Sequence, residues 1–328
     1  MGLNGIWKSG GSARVSSGKQ QAMWLGDSES TDEWRIAEMK IDGYTRTCGV
    51  IGNPVQHTMS PAIHNTVAEA LGENLVYVPF HVLAGQVGEA VKGAYALNLL
   101  GINVTVPYKR DVIPYLKEID PLAETIGAVN TLVRTEGGFK GYNTDMPGLY
   151  RAMSEDGVRL EGEKVLILGA GGVARAVAIL AAERKAGQIL ILNRTVEKAR
   201  MIADEVNGLT GRTLAEAKAL EEYASLPDGK KYLCIQATKV GMFPNTEEAV
   251  IEDPAFYEKV HTGYDLVFNP ARTRFMSLAE QGGGRAFGGL KMLLYQGIIA
   301  YELWTGAQVG RELAGRAYVE MKKAMNIL

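Results

Sequence analysis

Past Thr47 the hydrophobic positions fall into a repeating order: a short continuous apolar run, then a stretch with apolar residues three or four apart. Cys48 to Gly52 reads as a strand ended by Asn53-Pro54. A helix is expected next, with Ser60 as N-cap, Pro61 at its first position, and Ile63, Val67, Ala70 and Leu71 on one face. Leu75 to Phe80 is a second strand, followed by a glycine-containing helix, and Gly101 to Pro107 is a third. Strands alternating with helices argue for a mainly parallel sheet covered by helices on both faces, because parallel strands need long crossovers. After Gly148 the order restarts with strand Lys164 to Leu168, a glycine turn, helix Val173 to Arg184 and strand Gln188 to Leu192. Strands Tyr232 to Gln236 and Tyr264 to Phe268 follow, and apolar helices Met292 to Leu303 and Arg311 to Met325 close the chain. The expected architecture is two α/β domains with a cleft between them, divided as residues 41–146 and 147–289, with helices in 290–328 packing back on the first. Residues 1–40, rich in Gly, Ser and Lys and without periodicity, are expected to be a disordered extension with no targeting role.

A length of 328 residues agrees with two domains. The 35 Lys and Arg nearly balance 37 Asp and Glu, so no basic excess exists to bind a nucleic-acid backbone. No apolar run approaches the ~18 residues of a membrane span, so a soluble, non-membrane protein is expected. The 39 glycines exceed ordinary usage and suggest tight turns and close backbone approach to a ligand. Cys48 and Cys234, both inside apolar runs, read as free buried thiols of a reducing compartment, hence the cytoplasm. His57, His64, His81 and His261 lack ligand spacing and are expected to be structural, with no metal site.

The strongest chemical signal is Gly169-Ala170-Gly171-Gly172-Val173-Ala174, a G-x-G-x-x-A turn between a strand and a helix. Gly169 permits the tight turn, Gly171 lets the backbone approach a pyrophosphate, and the helix N-terminus supplies N–H donors. At the end of the next strand, where NAD enzymes place an acid for the ribose, stand Asn193-Arg194-Thr195, with Lys198 one turn on. Arg, Thr and Lys suit a 2′-phosphate, which favours NADP over NAD.

In the first domain, His57-Thr58-Met59-Ser60-Pro61, Asn103 to Lys109, Gly127 to Thr131 and Gly141 to Asp145 are rich in hydroxyls and amides, as a polyhydroxylated small-molecule substrate requires. Lys109 and Asp145 are their titratable pair. From about Cys48 to Leu303 the chain resembles the shikimate dehydrogenase family. The likeness is carried by these segments, by Val50-Ile51-Gly52-Asn53-Pro54-Val55, by the glycine turn and Asn193-Arg194-Thr195, and by Gly289-Leu290-Lys291-Met292-Leu293-Leu294-Tyr295-Gln296. The resemblance implies NADP-linked interconversion of 3-dehydroshikimate and shikimate in aromatic amino-acid biosynthesis, with Lys109 as acid/base beside Asp145. The residue types alone leave open which of the two transfers the proton. The resemblance further implies that Thr58, Ser60, Thr105, Asn130 and Gln296 hydrogen-bond the substrate, and that Val173, Leu266, Gly289 and Met292 line the cofactor site. The chain departs from the family at Thr58, where Ser is usual, and at Phe268, where Tyr is common and one substrate contact is lost. Ser60 and the basic Asn193-Arg194-Thr195 favour shikimate with NADP over a quinate or dual-specificity enzyme, and retention of Lys109 and Asp145 disfavours a catalytically silent NADP-binding sensor. A monomer or homodimer is expected.

Overall fold

The computed structural model describes residues 41–228 and 232–328. The expected extension over residues 1–40 lies outside the described residues. In chain order the first lobe runs β1 (Arg46–Gly52), α1 (Ser60–Ala70), β2 (Leu75–His81), α2 (Val87–Ala96), β3 (Gly101–Val104), β4 (Glu118–Ile119), α3 (Pro121–Ile126), β5 (Thr131–Thr135) and β6 (Gly138–Tyr142). Helix α4 (Asp145–Glu155) leads into β7 (Lys164–Leu168), α5 (Gly172–Glu183), β8 (Gln188–Asn193), α6 (Val196–Thr210), β9 (Ala215–Ala219) and β10 (Tyr232–Gln236). Then come α7 (Pro254–Tyr257), β11 (Val260–Asp265), α8 (Arg274–Gln281), β12 (Arg285–Phe287), α9 (Leu290–Thr305) and α10 (Arg311–Ala324).

The second sheet, ordered β12-β11-β10-β7-β8-β9, is parallel at every pairing. Its central strands are apolar without interruption because helices cover both faces. The first sheet is mainly parallel, as expected, with one strand reversed. It runs β2-β1-β3-β5-β6-β4, with β5 antiparallel to both β3 and β6. A tight Glu136-Gly137 connection makes this possible, since antiparallel neighbours need only a hairpin; Gly137 turns with φ 78°.

Two local expectations are corrected. Met59, not Ser60, occupies the N-cap of α1, without a side-chain bond; Ser60 begins the helix and its N–H donates to Thr58 Oγ1. The strand expected over Tyr264 to Phe268 starts earlier and ends at Asp265, because the buried Asp265 carboxylate accepts the Val267 N–H and turns the chain into a loop. Gly148, after which the α/β order restarts with β7, lies inside α4, which runs through residues 145–155. There it meets α9: a Cβ on Gly148 would sit 2.6 Å from the Gln296 backbone nitrogen.

The returning helices share a core with the first lobe, where Leu294, Ile298, Tyr301 and Trp304 of α9 pack with Val50, Ile63 and Tyr77. Trp304 donates to the Leu132 carbonyl at 2.9 Å and lies where a Cβ of Gly101 would have to be. On the other side of the cleft Arg175 of α5 donates to the Thr125 and Ile126 carbonyls of α3 at 2.8 and 2.7 Å, and it pairs with Glu205. These contacts join the glycine-turn helix to the first lobe.

Candidate active site and cofactor cleft

One cleft of about 870 Å³ opens between the C-terminal ends of the two sets of strands. Every residue expected at the site lines it. From the first lobe come Thr58, Ser60, Thr105, Lys109, Asn130 and Asp145; from the second, Gly169, Ala170, Gly171, Gly172, Val173, Asn193, Arg194, Thr195, Lys198, Leu266, Phe268 and Gly289; from α9, Met292 and Gln296. The grouping follows from topology, because in α/β sheets the loops leaving the strands' carboxyl ends share one edge.

Lys109 and Asp145 meet at the centre. The Lys109 ammonium donates to Asp145 Oδ2 at 2.6 Å, both side chains being partly exposed to the cleft. Asp145 is the first residue of α4, where the helix N-terminus favours a negative charge, and its other oxygen accepts from Asn130 Nδ2 at 2.9 Å. The Asn130 side-chain oxygen accepts from the Thr144 N–H at 2.8 Å, so this buried amide holds the residues on either side of the α4 start. Thr58 and Ser60 hydroxyls lie 3.2 Å apart.

The nucleotide half fits a dinucleotide. Gly169 has φ 110°, and a Cβ there would meet Thr238 at 2.7 Å, so the turn requires glycine. Gly171 and Gly172 have open space where their Cβ atoms would point, and α5 begins at Gly172 with no side-chain cap, leaving its first N–H groups for a phosphate. Four cations line the cleft, Lys109, Arg194, Lys198 and Lys239, against Asp145 as the one carboxylate among the described lining residues. Of these cations only Lys109 is ion-paired among the described residues, which leaves three positive charges for an anionic ligand.

Lys239 and Thr238 also line the cleft and carry no sequence expectation; Asn103, expected only as part of its segment, and His57, expected to be structural, line it too. Lys239 and Thr238 directly follow β10, so the rule that ligands sit beyond strand carboxyl ends would have found them. Behind them Asp265 is fully buried; desolvation raises its carboxyl to about 6, against hydrogen bonds from Thr273, Val267 and Gln236. Gln236 Oε1 accepts the Thr238 N–H and its Nε2 donates to the Val240 carbonyl, so this buried group sets the loop that carries Lys239.

A parallel nucleotide sheet with a glycine-cradled helix N-terminus, facing a Lys–Asp pair across one cleft, defines a two-lobed dinucleotide-dependent oxidoreductase. Residues 50–132 match the shikimate dehydrogenase substrate binding domain, residues 152–226 shikimate/quinate 5-dehydrogenase, and residues 289–313 the shikimate 5′-dehydrogenase C-terminal domain. The chain is 40% identical over 268 residues to a shikimate dehydrogenase (NADP(+)) of Carboxydothermus hydrogenoformans, covering 82% of this chain and 94% of that one. A shikimate dehydrogenase solved in complex with NADP+ superposes with a TM-score of 0.76 at 36% identity, over 85% of this chain and 96% of its own. Shikimate 5-dehydrogenase from Thermus thermophilus, solved with NADP(H) and shikimate, gives 0.74 at 32% identity, over 85% and 100%. The chain belongs to the shikimate dehydrogenase family.

Proposed function

We propose that this chain catalyses the reversible NADP-linked reduction of 3-dehydroshikimate to shikimate in aromatic amino-acid biosynthesis. The observation that carries the reading is the Lys109–Asp145 pair at 2.6 Å, set between hydroxyl- and amide-bearing loops on one side and the glycine turn on the other. When bound, NADPH supplies the hydride that reduces the ring ketone. Lys109 stabilises the developing alkoxide and supplies its proton, while Asp145, fixed by Asn130, orients the ammonium and a ring hydroxyl. Thr58, Ser60, Thr105, Asn130 and Gln296 hold the substrate carboxylate and hydroxyls. The turn at residues 169–173 takes the pyrophosphate, Asn193, Arg194, Thr195 and Lys198 hold the 2′-phosphate, Leu266, Gly289 and Met292 flank the nicotinamide half, and Phe268 stands on the substrate side without the hydroxyl a Tyr would offer. Lys239 adds positive charge beside the cofactor phosphates. In this reading residues 41–146 form the substrate domain, residues 147–289 the NADP domain, and 290–328 return α9 over the substrate.

Among the described residues no helix is long and apolar enough to cross a membrane. Cys48 and Cys234 are free and buried, which supports a reducing, cytoplasmic setting.

The test follows reduced-nicotinamide absorbance while crossing shikimate and quinate against NADP and NAD at one pH. Fast turnover with shikimate and NADP alone is expected. Preference for quinate with NAD would move the protein to the quinate-oxidising branch, and NADP binding without turnover would replace catalysis with a sensing role.

A further inference from the structure

The first lobe contains a buried polar chain that the proposed mechanism does not use. It begins at Tyr77 on β2, whose side chain is fully enclosed. Asn65 of α1 clamps the Tyr77 backbone twice, accepting from its N–H at 2.8 Å and donating to its carbonyl at 3.1 Å. The ring stacks on His64 with centroids 4.1 Å apart and planes within 9°, and Trp304 packs at its edge. A ring stacked on one face by His64, packed against Trp304 and tied at its backbone delivers its hydroxyl to one place. That place is Asn103, whose Oδ1 accepts from the Tyr77 hydroxyl at 2.8 Å.

Asn103 lines the cleft from β3 yet is almost entirely buried. Its Nδ2 donates to the Asn130 carbonyl at 3.2 Å and to Thr131 Oγ1 at 3.0 Å. Both amide hydrogens are therefore committed, and the one remaining capacity of this side chain is a second lone pair on Oδ1. Asn103 can offer the cleft an acceptor only, which suits a substrate hydroxyl and repels a substrate carboxylate. The same amide supports the Asn130 backbone, and the Asn130 side chain holds Asp145.

We propose that Tyr77 is a positioning residue of this enzyme: through Asn103 it fixes both an acceptor for a substrate hydroxyl and the Asn130 segment that holds Asp145. The proposal rests on the shikimate reading of the cleft. Tyr77 stands behind the cleft lining and acts by leaving Asn103 one orientation and one position.

The experiment compares wild type, Tyr77→Phe, Asn103→Ala and the double variant in steady-state assays with shikimate and NADP, alongside thermal melts. Tyr77→Phe keeps the ring and removes one hydroxyl. The loss of one buried hydrogen bond predicts a fall in kcat/KM for shikimate of about threefold to tenfold, with the KM for NADP unchanged. If Tyr77 acts through Asn103, the double variant loses no more than Asn103→Ala alone. Multiplicative losses in the double variant, or a Tyr77→Phe enzyme whose melting point falls while its shikimate kinetics stay within twofold of wild type, would overturn the proposal. Asn103→Ala removes no buried ring and keeps the idea testable if the tyrosine variant does not fold: shikimate kcat/KM within twofold of wild type in that variant also overturns it. Absence of shikimate turnover in the wild type would sink the functional reading itself, whereas intact wild-type turnover with unaffected variants sinks only the role of Tyr77.

Discussion

Gly148→Ala tests whether the packing of α4 on α9 sets the cleft. In an exposed helix interior this substitution stabilises by roughly 0.5–1 kcal/mol, because glycine loses more backbone freedom on folding. At Gly148 the added Cβ would lie 2.6 Å from the Gln296 nitrogen, 2.9 Å from its Cα and 3.1 Å from its Cβ. Two of those three atoms are helix backbone and cannot rotate aside. Restoring an ordinary contact near 3.4 Å requires α9 to retreat by about 0.8 Å at the residue whose side chain lines the cleft. Overpacking of this kind costs roughly 1–3 kcal/mol, which exceeds the gain in propensity and leaves a net loss near 1–2 kcal/mol. For a chain of 328 residues the melting temperature should fall by about 1.5–3 °C. Because Gln296 moves with α9, the KM for shikimate should rise more than the KM for NADP. Gly208→Ala in α6 is the control, since nothing lies within 4 Å of its Cβ position, and it should raise the melting temperature slightly. If Gly148→Ala melted at or above wild type, the argument that α4 and α9 are in tight backbone contact would be wrong.

Lys109→Ala should lower kcat by ~10²-fold or more with little change in NADP binding, as steady-state and fluorescence titrations would show; a kcat close to wild type would remove Lys109 from the chemistry. Arg194→Ala should raise the KM for NADP far more than that for NAD, whereas Lys239→Ala should raise both alike, and an equal effect of Arg194→Ala on the two cofactors would refute the 2′-phosphate assignment. His64 should make the fold acid-sensitive. Burial lowers its imidazole to about 3, against 6.5 when exposed, so between those pH values the unfolded chain binds a proton the folded chain does not. Stability therefore falls as pH drops from about 6.5 toward 3, by on the order of 5 kcal/mol over the whole window. Denaturant melts should show a steeper loss on acidification for wild type than for His64→Phe; parallel curves would mean that His64 is not the group responsible.

The sequence was most legible where chemistry and spacing are local. Strand Lys164–Leu168, the glycine turn and the start of α5 follow from an apolar run ending in residues that only a phosphate cradle needs, and all three are in place. The twenty expected site residues share one cleft because most lie beyond a strand end or at a helix start, positions that sequence order reveals in an alternating β/α chain, whereas Asn130 precedes β5 and Gln296 reaches the cleft from the middle of α9. What the chain order could not show was decided by contacts between distant segments. The one reversed strand in the mainly parallel first sheet, β5, was not legible, since a short apolar run reads the same in either direction. That Gly148 is the point where α4 meets α9 was not legible, because only the partner helix shows why a side chain is excluded there. Tyr77 and Asp265 carry no motif and sit behind the cleft rather than in it. Their hydroxyl and carboxylate matter only because folding brings Asn103, Gln236 and Thr273 within hydrogen-bond reach in a space closed to water.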